Sequence, residues 1–453
     1  MSNQETLTWQ LGTTEETPLP PLVDPRDLTG QDNLFLQQYR KLGPVFRLPR
    51  PGKPLTVLAG PEANVFMARH EDEFFTTREQ WEDFDTVLGT GGIATARDGQ
   101  ANRQRRAHSS KSYSRARVLD QLPRMIEITR EFSRWQPGES IAVRPGMQRV
   151  IAEQLGRLLV GFGPGDYLQD LVTYLDTAIM TSLDRGRDLQ DWTPESAAAL
   201  QRAKERTYEL ARAIVQAHLE HPMPNGKPDM IDEALAETAK NPGPNAQRRA
   251  GGAAIGPFLA GLDTVANSCS FMIYALLDNP GTLKRVLAEV DATFAQGPLT
   301  WEKLKDMTAL HGAAMETLRR YPVAGGHMAK VASSLTFAGC RLEPGDDIFI
   351  AMTVPHFLPE FYPEPERFDI DRFHSPRNEH RKPGAYAPFG LGDHTCLGAG
   401  IAEIQLMVTM ATIFYDYHLE LDPPAYTLTI EYEPTPAPSR DFRVKVVEKR
   451  GGA

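Results

Sequence analysis

Apolar and polar positions alternate with two different periods along this chain, and the change of period divides it into regions. Residues 44–60, PVFRLPRPGKPLTVLAG, alternate on both sides of a Pro-Gly turn, which predicts two β-strands. From Pro61 to about Leu277 apolar residues recur at the spacing of α-helices, as in MQRVIAEQLGRLLVGF and DLVTYLDTAIMTSL. The middle of the chain is therefore predicted to be helical.

The strand period returns after this helical region. Residues 335–352, LTFAGCRLEPGDDIFIAM, alternate, and a proline-rich aromatic passage separates them from a predicted helix, GAGIAEIQLMVTMATIFYDY, and from terminal strands. Two stretches rich in Pro, Gly and Asn, residues 221–229 and 241–245, predict surface loops too short for domain linkers. We expect one domain over residues 1–453, with residues 1–22 as a flexible N-terminal segment.

The segment from Ala253 to Leu277 is long and apolar enough to cross a bilayer. Asp263 lies in its middle, where insertion of a charge costs about 2.5–3.5 kcal/mol. Two interpretations stay open, a membrane span and a long helix buried in the centre of a soluble fold. The polar, acidic start of the chain has no basic region followed by an apolar run, which favours a cytoplasmic protein.

Charge and cysteine content narrow the classes of function. A net charge of -10 disfavours nucleic acid as the main partner, because binding a polyanion needs concentrated Lys and Arg. Only three cysteines occur, Cys269, Cys340 and Cys396, and they lie far apart. This disfavours a disulfide framework and favours a reducing compartment.

Cys396 lies in a stretch with unusual backbone freedom, AYAPFGLGDHTCLGAG. A lone cysteine is often only a small buried hydrophobe. Here Leu397 to Gly400 open a predicted helix, whose unpaired N–H groups face the sulfur and favour the thiolate. No paired cysteines or clustered histidines complete a tetrahedral zinc site, whereas a single anionic sulfur suits haem iron.

The surrounding motif, PFGLGDHTCLGAGIAE, resembles the haem-binding signature of the cytochrome P-450 haem–thiolate monooxygenases. The resemblance implies haem b as cofactor, Cys396 as the proximal iron ligand and His394 as a contact of a haem propionate. It also implies a fold that is mainly α with small β-sheets, with haem between a long central helix and the cysteine loop. The residues in register are Phe389, Gly390, Gly392, His394, Cys396 and Gly398.

Two more motifs follow the family's order. ETLRR places Glu316 and Arg319 in an E-x-x-R pair, and PERF supplies Arg367, which the resemblance joins to that pair in a structural network. Alone, such a pair is a common surface ion pair. AGLDTV is similar to the family's oxygen-groove motif, in which Ala260 and Gly261 face the haem, Thr264 assists oxygen activation and Asp263 relays protons. The alternative is that Thr264 only bonds back to its own helix.

The propionate contacts depart from the family pattern. In DGQANRQRRAHSSKSY, Arg106 matches the usual arginine, but Asn102 stands where a histidine is usual. In GGHMAKVASS the usual arginine aligns with Ala329, which leaves His327 or Lys330 as a substitute.

Family position assigns a mostly apolar substrate pocket, which favours a lipophilic molecule such as a terpenoid, fatty acid, steroid or polyketide. Its predicted lining is Trp81, Phe84, Val87, Leu88, Phe258, Leu259, Leu262, Val323, Ala324, Thr435 and Pro436.

The resemblance implies a monooxygenase that inserts one oxygen atom of O₂ into its substrate. Two alternatives stay open: a peroxide-driven oxygenase or isomerase on the same scaffold, and a haem-binding sensor or carrier without turnover. The chain shows no G-x-G-x-x-G after a strand and no spaced cysteine set, so electrons are expected from a ferredoxin or flavodoxin with its NAD(P)H reductase. Basic residues near the cysteine loop predict either a dock for that acidic donor or ordinary solvated charge; they are Arg377, His380, Arg381, Lys382, Arg103 and Arg105.

Overall fold

A computed structural model describes residues 9–28, 33–79, 81–82, 98–109, 113–183, 193–224, 226–240 and 246–450. Within these ranges the chain is mainly helical, as predicted. The helices are α1 (Leu34–Leu42), α2 (Pro61–Phe74), α3 (Gly99–Ser109), α4 (Arg115–Leu119), α5 (Leu122–Phe132), α6 (Val143–Leu159), α7 (Leu168–Leu183), α8 (Pro194–Glu220), α9 (Met230–Lys240), α10 (Ala246–Asp278), α11 (Pro280–Ala295), α12 (Trp301–Asp306), α13 (Thr308–Arg320) and α14 (Ala399–Asp416).

The strands are short and form small sheets. They are β1 (Trp9–Leu11), β2 (Val45–Leu48), β3 (Leu55–Ala59), β4 (Phe75–Thr76), β5 (Ser140–Ala142), β6 (His327–Val331), β7 (Leu335–Phe337), β8 (Cys340–Leu342), β9 (Asp347–Ala351), β10 (Tyr417–Asp422), β11 (Ile430–Glu431), β12 (Ala437–Pro438) and β13 (Arg443–Lys449). The largest sheet has the order β2-β3-β9-β6-β4, in which β3 and β9 are parallel and the other pairs are antiparallel. The others have the orders β1-β7-β8, β10-β13-β5 and β11-β12.

Helix α10 runs through the centre of the molecule. It packs against α6, α8, α9, α13 and α14, so that apolar side chains surround it on most sides. Residues 248–278 of this helix are long and apolar enough for a membrane span. However, 78% of their most apolar stretch is buried inside the protein. A helix that is apolar on most faces is expected at the centre of a large core, and this position supports the soluble interpretation.

The N-terminal segment is not detached from the fold. Trp9 packs its ring 5.5 Å from Phe66, and β1 pairs with β7 in antiparallel register. Further along, the Arg47 N–H donates to the Pro21 carbonyl at 2.7 Å. The prediction that residues 1–22 form a flexible segment is therefore wrong for residues 9–22, because a tryptophan and a strand edge bind them to the sheets; residues 1–8 lie outside the described part.

Candidate active site

The cysteine loop forms a tight reversal just before α14. The Cys396 N–H donates to the Phe389 carbonyl at 2.8 Å, which closes the loop. Gly390 and Gly392 have φ angles of 80° and 66°, a region that L side chains rarely adopt. At Gly392 a Cβ would also lie 2.3 Å from the Glu71 carboxylate. The glycines are therefore required by the loop's geometry.

Cys396 is exposed and lies just before α14 begins at Ala399. Desolvation by surrounding protein raises the pKa of Cys396, whereas N–H groups of Gly398 and Ala399 and the charge of Arg106 lower it. The N–H groups at the helix start therefore favour the thiolate, as predicted, but desolvation is the larger effect and the pKa of Cys396 is raised overall. A bound metal cation would reverse the balance, since it deprotonates a coordinating thiol.

One face of α10 is accessible at Ala260 and Thr264, and we call it the open face. Ala260 is exposed although most of this helix is buried, and Thr264 lies one turn further on the same face. The Thr264 hydroxyl donates to the Ala260 carbonyl at 3.1 Å and to the Gly261 carbonyl at 3.5 Å. A Cβ at Gly261 would lie 3.2 Å from the Leu155 side chain of α6, so the expectation that Gly261 faces the haem is not supported by its position. Helix α10 also packs against α14, the helix that follows the cysteine loop.

Asp263 points away from this face into the protein interior. It is buried, and its Oδ1 accepts a hydrogen bond from Gln148 Nε2 of α6 at 2.8 Å. A second carboxyl, that of Asp176 on α7, lies against it. Sequence reasoning did not identify Asp176, because nothing in the spacing of α7 marks one acidic residue among several.

A polar cluster borders the cysteine loop, and we call it the Glu71 cluster: Glu71, His394, His327 and Asn102. His394 Nδ1 lies 2.8 Å from Glu71 Oε1, and His327 Nε2 lies 3.5 Å from the same oxygen. Asn102 donates to the Asp393 carbonyl at 3.1 Å and lies 3.4 Å from His394 Nε2. The structure thus brings together three predicted residues around a glutamate that no sequence motif identified.

The charge state of Glu71 follows from its neighbours. Desolvation alone raises its pKa, but hydrogen bonds from His327 and His394 and their positive charges outweigh this and lower the pKa of Glu71 to about 2. Glu71 is therefore ionised at neutral pH.

The other predicted propionate contacts divide into two groups. Arg106 reaches the cysteine loop, where its guanidinium donates to the Thr395 carbonyl. Lys330 instead pairs with Glu79, and Ala329 is buried in the sheet. His327 is therefore better placed than Lys330 to replace the missing arginine.

The E-x-x-R motif is buried, but its third member differs from the predicted one. Glu316 binds Arg319 through contacts of 2.7 and 2.9 Å, and both side chains are fully buried. Arg372 also has an exposure of 0% and donates to Glu316 Oε1 at 3.1 Å. Arg367 is 66% exposed and pairs with Glu364 at 3.3 Å. The assignment of Arg367 to this network is wrong, because its side chain turns to solvent while its carbonyl accepts from Arg372.

The predicted substrate pocket is only partly supported. Phe258 and Leu262 are fully buried in the main core on the α6 side of α10, so their assignment to an open pocket is wrong. Leu259, Val323 and Ala324 remain accessible, and Asn267 holds Thr435 and Pro436 near α10 through contacts of 3.3 Å. Trp81 is half-buried; Phe84, Val87 and Leu88 lie outside the described residues.

A separate group of possible metal ligands has a structural explanation. His218, Asp229 and Asp232 lie together at the start of α9. Asp229 accepts from His218 Nε2 at 2.9 Å and from the Ile231 N–H at 2.8 Å, and Asp232 accepts from the Asp229 N–H at 3.0 Å. These bonds satisfy the first turn of the helix, as capping side chains do.

The residues present fit a haem. Cys396 offers an exposed sulfur, and the exposed Ala260 leaves one face of α10 accessible. Beside the cysteine loop, Asn102 Oδ1 is buried without a hydrogen-bond partner among the described residues. Unsatisfied buried polar atoms are rare and indicate an absent partner. Arg106, His394 and His327 could hold the propionates, although the negative charge of Glu71 opposes part of that attraction.

Comparison with known proteins agrees with this geometry. A "Putative cytochrome P450 139" of Mycobacterium tuberculosis is 25% identical over 399 residues, which cover 85% of this chain and 90% of the relative. A "Probable cytochrome P450 6a13" of Drosophila melanogaster is 34% identical over 164 residues, which cover 35% of this chain and 33% of the relative.

Solved structures show the same fold. The cytochrome P450DA heme domain superimposes with a TM-score of 0.81 at 19% identity, covering 97% of this chain and 99% of that one. A cyanobacterial CYP120A1 with bound retinoic acid gives 0.81 at 22% identity, covering 95% and 99%. The family model described as Cytochrome P450 matches residues 26–441. The chain therefore belongs to the cytochrome P450 family, the haem b-binding monooxygenase class of oxidoreductases.

Proposed function

We propose that this protein inserts one oxygen atom of O₂ into a lipophilic small molecule, by hydroxylation or epoxidation, with electrons from a separate redox protein. The observation that carries the proposal is the pair Asp263–Thr264. Thr264 lies on the open face of α10, and Asp263 reaches from the next position into a buried polar group. An alcohol beside the reacting centre and an acid behind it form the pattern expected of proton delivery.

When bound, haem b supplies the iron that activates oxygen, and Cys396 would be its sulfur ligand. The protein's own contribution is positioning and proton supply. Thr264 Oγ1 donates to its helix and keeps its lone pairs, so it can accept a hydrogen bond from a water on the open face. Asp263 can release a proton to that water and recover one from the interior side.

The pocket residues support a lipophilic substrate. The predicted pocket residues that remain accessible, Leu259, Val323 and Ala324, are apolar, and an apolar lining favours ligands that bury hydrocarbon surface. We propose a terpenoid, fatty acid, steroid or polyketide as the substrate class.

We propose a ferredoxin or flavodoxin with its NAD(P)H reductase as the electron source, in the cytoplasm. The predicted basic docking surface carries less uncompensated positive charge than its number of basic residues suggests. Arg377 pairs with Asp369 and Glu379 at 2.8 and 2.7 Å, and Arg103 pairs with Asp72 and Asp393 at 2.6 and 2.8 Å. Internal ion pairs of this kind reduce the field that steers an acidic partner.

The test of the proposed reaction is Thr264→Ala. With a substrate that shifts the haem spectrum, we expect reductant consumption at a similar rate but more hydrogen peroxide and less oxygenated product. The loss of product per reductant should reach roughly a hundredfold, the effect typical of lost general-acid assistance.

Ser268→Ala is the matched control. Ser268 Oγ makes the same kind of bond one turn further, to the Thr264 carbonyl at 2.8 Å, but it is buried away from the open face. If Thr264 only stabilised its helix, both variants would keep the wild-type ratio of product to reductant. Absence of any product with wild-type protein, under conditions where the haem is reduced, would instead favour a carrier or sensor.

A further inference from the structure

The carboxyls of Asp263 and Asp176 lie behind the open face of α10, and each has one oxygen that lacks a hydrogen-bond donor among the described residues. Asp263 Oδ2 and Asp176 Oδ1 are both buried and have no hydrogen-bond donor among the described residues. The two side chains nevertheless lie within hydrogen-bonding contact of each other. Two ionised carboxylates offer only acceptors, so one proton between them would satisfy both groups.

The number of charged groups around the two carboxyls also indicates one shared proton. Arg144 at the start of α6 is buried, with Nη1 3.6 Å from Glu431 Oε2 on β11. Arg440, which follows β12, has Nη2 3.9 Å from Asp176 Oδ2 and Nε 3.9 Å from Glu431 Oε2. Three carboxyls thus face two guanidinium groups in the described structure. The group is electrically neutral when it holds one proton and carries a net negative charge when it holds none.

Burial of Asp176 also favours its protonated form. Desolvation, followed by the charge and hydrogen bond of Asp263, raises the pKa of Asp176 to about 7, while Arg144 and Arg440 oppose the increase. Like charges at one site cannot both ionise without a large cost.

The location of this pair connects the interior with solvent. Asp263 belongs to the helix of the open face, and Gln148 holds its other oxygen at 2.8 Å. On the other side, Arg440 is 73% exposed and touches Asp176. The pair therefore lies between the active site and the surface beside Arg440.

We propose that Asp176 and Asp263 share one proton at neutral pH, and that Asp176 is the point where this proton is replaced from solvent. The inference rests on the proposed role of Asp263 as the proton source for the active site. In each cycle the shared proton leaves from Asp263 toward the water at Thr264, and a proton taken up from solvent at Asp176, beside Arg440, restores the proton that the pair shares. One proton leaves the pair and one enters, with no change in electrons. Asp176 is thus a positioning residue that acts through Asp263.

Asp176→Asn in the haem-loaded protein tests the shared proton directly. An amide donates to Asp263 without holding a titratable proton, so no pair of carboxyls remains to share one. In wild type, infrared difference spectra should show the C=O stretch of a protonated carboxylic acid that disappears as the pH rises through about 7. The variant should lack this titrating band. The same band in the variant would overturn the proposal.

Turnover provides the second measurement. We expect wild-type oxygenation to fall as the pH rises through about 7, and Asp176→Asn to be slower by roughly tenfold or more, with the alkaline fall removed and a larger solvent isotope effect. Asp170→Asn is the matched control, because Asp170 lies on the same helix and pairs with Arg206 at 3.4 Å at the surface. It should keep the wild-type profile. An unchanged profile in Asp176→Asn would overturn the relay.

A second variant, Arg440→Gln, tests the proposal even if Asp176→Asn does not fold. Its exposed side chain can be replaced with little structural cost, and loss of its charge should move the infrared titration to higher pH. No movement would contradict a proton held beside Arg440. Because the infrared band is read without substrate, it tests the pair even if no oxygenation occurs. Conversely, a Thr264→Ala effect together with an inert Asp176→Asn would leave the monooxygenase proposal standing and remove the relay.

Discussion

At the scale of single residues, the role of a charged side chain depends on its contacts rather than on its residue type. Arg372 and Arg367 are five positions apart, and both follow the E-x-x-R helix in sequence. Arg372 donates to Glu316, to Glu379 at 3.0 Å and to three carbonyls, all inside the protein. Arg367 has one surface partner.

We therefore predict opposite outcomes for the same substitution at these two arginines. Arg372→Ala should cost about 3–5 kcal/mol of unfolding free energy and lower the yield of haem-loaded protein, because Glu316 keeps Arg319 but loses its second buried guanidinium, and Glu379 loses a buried donor. Arg367→Ala should change stability by about 0.5 kcal/mol or less. Chemical unfolding followed by circular dichroism measures both. Equal effects would contradict the assignment of Arg372 to the network.

His356 offers a prediction on pH. Its ring is fully buried, with Nδ1 3.2 Å from the Arg319 carbonyl and Nε2 accepting the Ala387 N–H at 3.0 Å, which requires a neutral ring with its proton on Nδ1. Burial, and then the charge of Arg319, lower the pKa of His356 to about 3 from an ordinary value of 6.5.

Between these two pH values the unfolded chain binds a proton at His356 that the native protein does not bind. Native stability is therefore lost as the pH falls from 6.5 toward 3, by at most about 1.4 kcal/mol per pH unit from this group. His356→Gln should lose stability less steeply over that range. At higher pH the histidine is neutral in both states, so only a pH-independent difference should remain there. Parallel stability curves over the acidic range would refute the buried neutral ring.

At the scale of elements, close helix packing determines which glycines can be replaced. On α6, a Cβ at Gly156 would lie 2.3 Å from the Phe162 carbonyl and 3.0 Å from the Phe258 ring of α10. On the same helix, a Cβ at Gly146 would meet nothing closer than 3.7 Å. The two positions are therefore a matched pair.

Gly156→Ala should destabilise the protein by about 1–3 kcal/mol, because backbone must shift to admit the methyl group. Gly146→Ala should stabilise it by roughly 0.5–1 kcal/mol, since alanine loses less backbone entropy in a helix. Unfolding free energies of the two variants test the packing of α6 on α10. A neutral Gly156→Ala would show that the Phe162 carbonyl and the Phe258 ring lie further from Gly156.

The elements themselves were largely predictable. The period of apolar positions located the strands at 45–48 and 55–59, the helical middle and the helix after Cys396. It also showed that α10 is apolar over its length, but could not decide between lipid and protein as its surroundings. That choice depends on helices α6 and α14, which cover it from distant parts of the chain.

At the scale of the whole molecule, the site is assembled from segments far apart in sequence. Glu71 on α2 meets His327 on β6 and His394 in the cysteine loop, and Asn102 on α3 completes the cluster. Similarly, α6, α7 and α10 each contribute one side chain to the polar group around Asp263. The cytochrome P450 fold thus provides the positions, and this chain's own residues determine the charges placed there.

The sequence by itself determined the order and type of the elements, the cysteine loop with its required glycines, the Glu316–Arg319 pair and the Asp263–Thr264 pair. These depend on residues within a few positions of one another, whose spacing is visible in one dimension. Tertiary structure alone decided that Arg372 rather than Arg367 enters the buried network, that Glu71 lies among the propionate-side residues and that Asp176 meets Asp263. The physical reason is that a charge is stabilised or destabilised by whatever surrounds it in space, and burial brings together groups that the chain keeps apart.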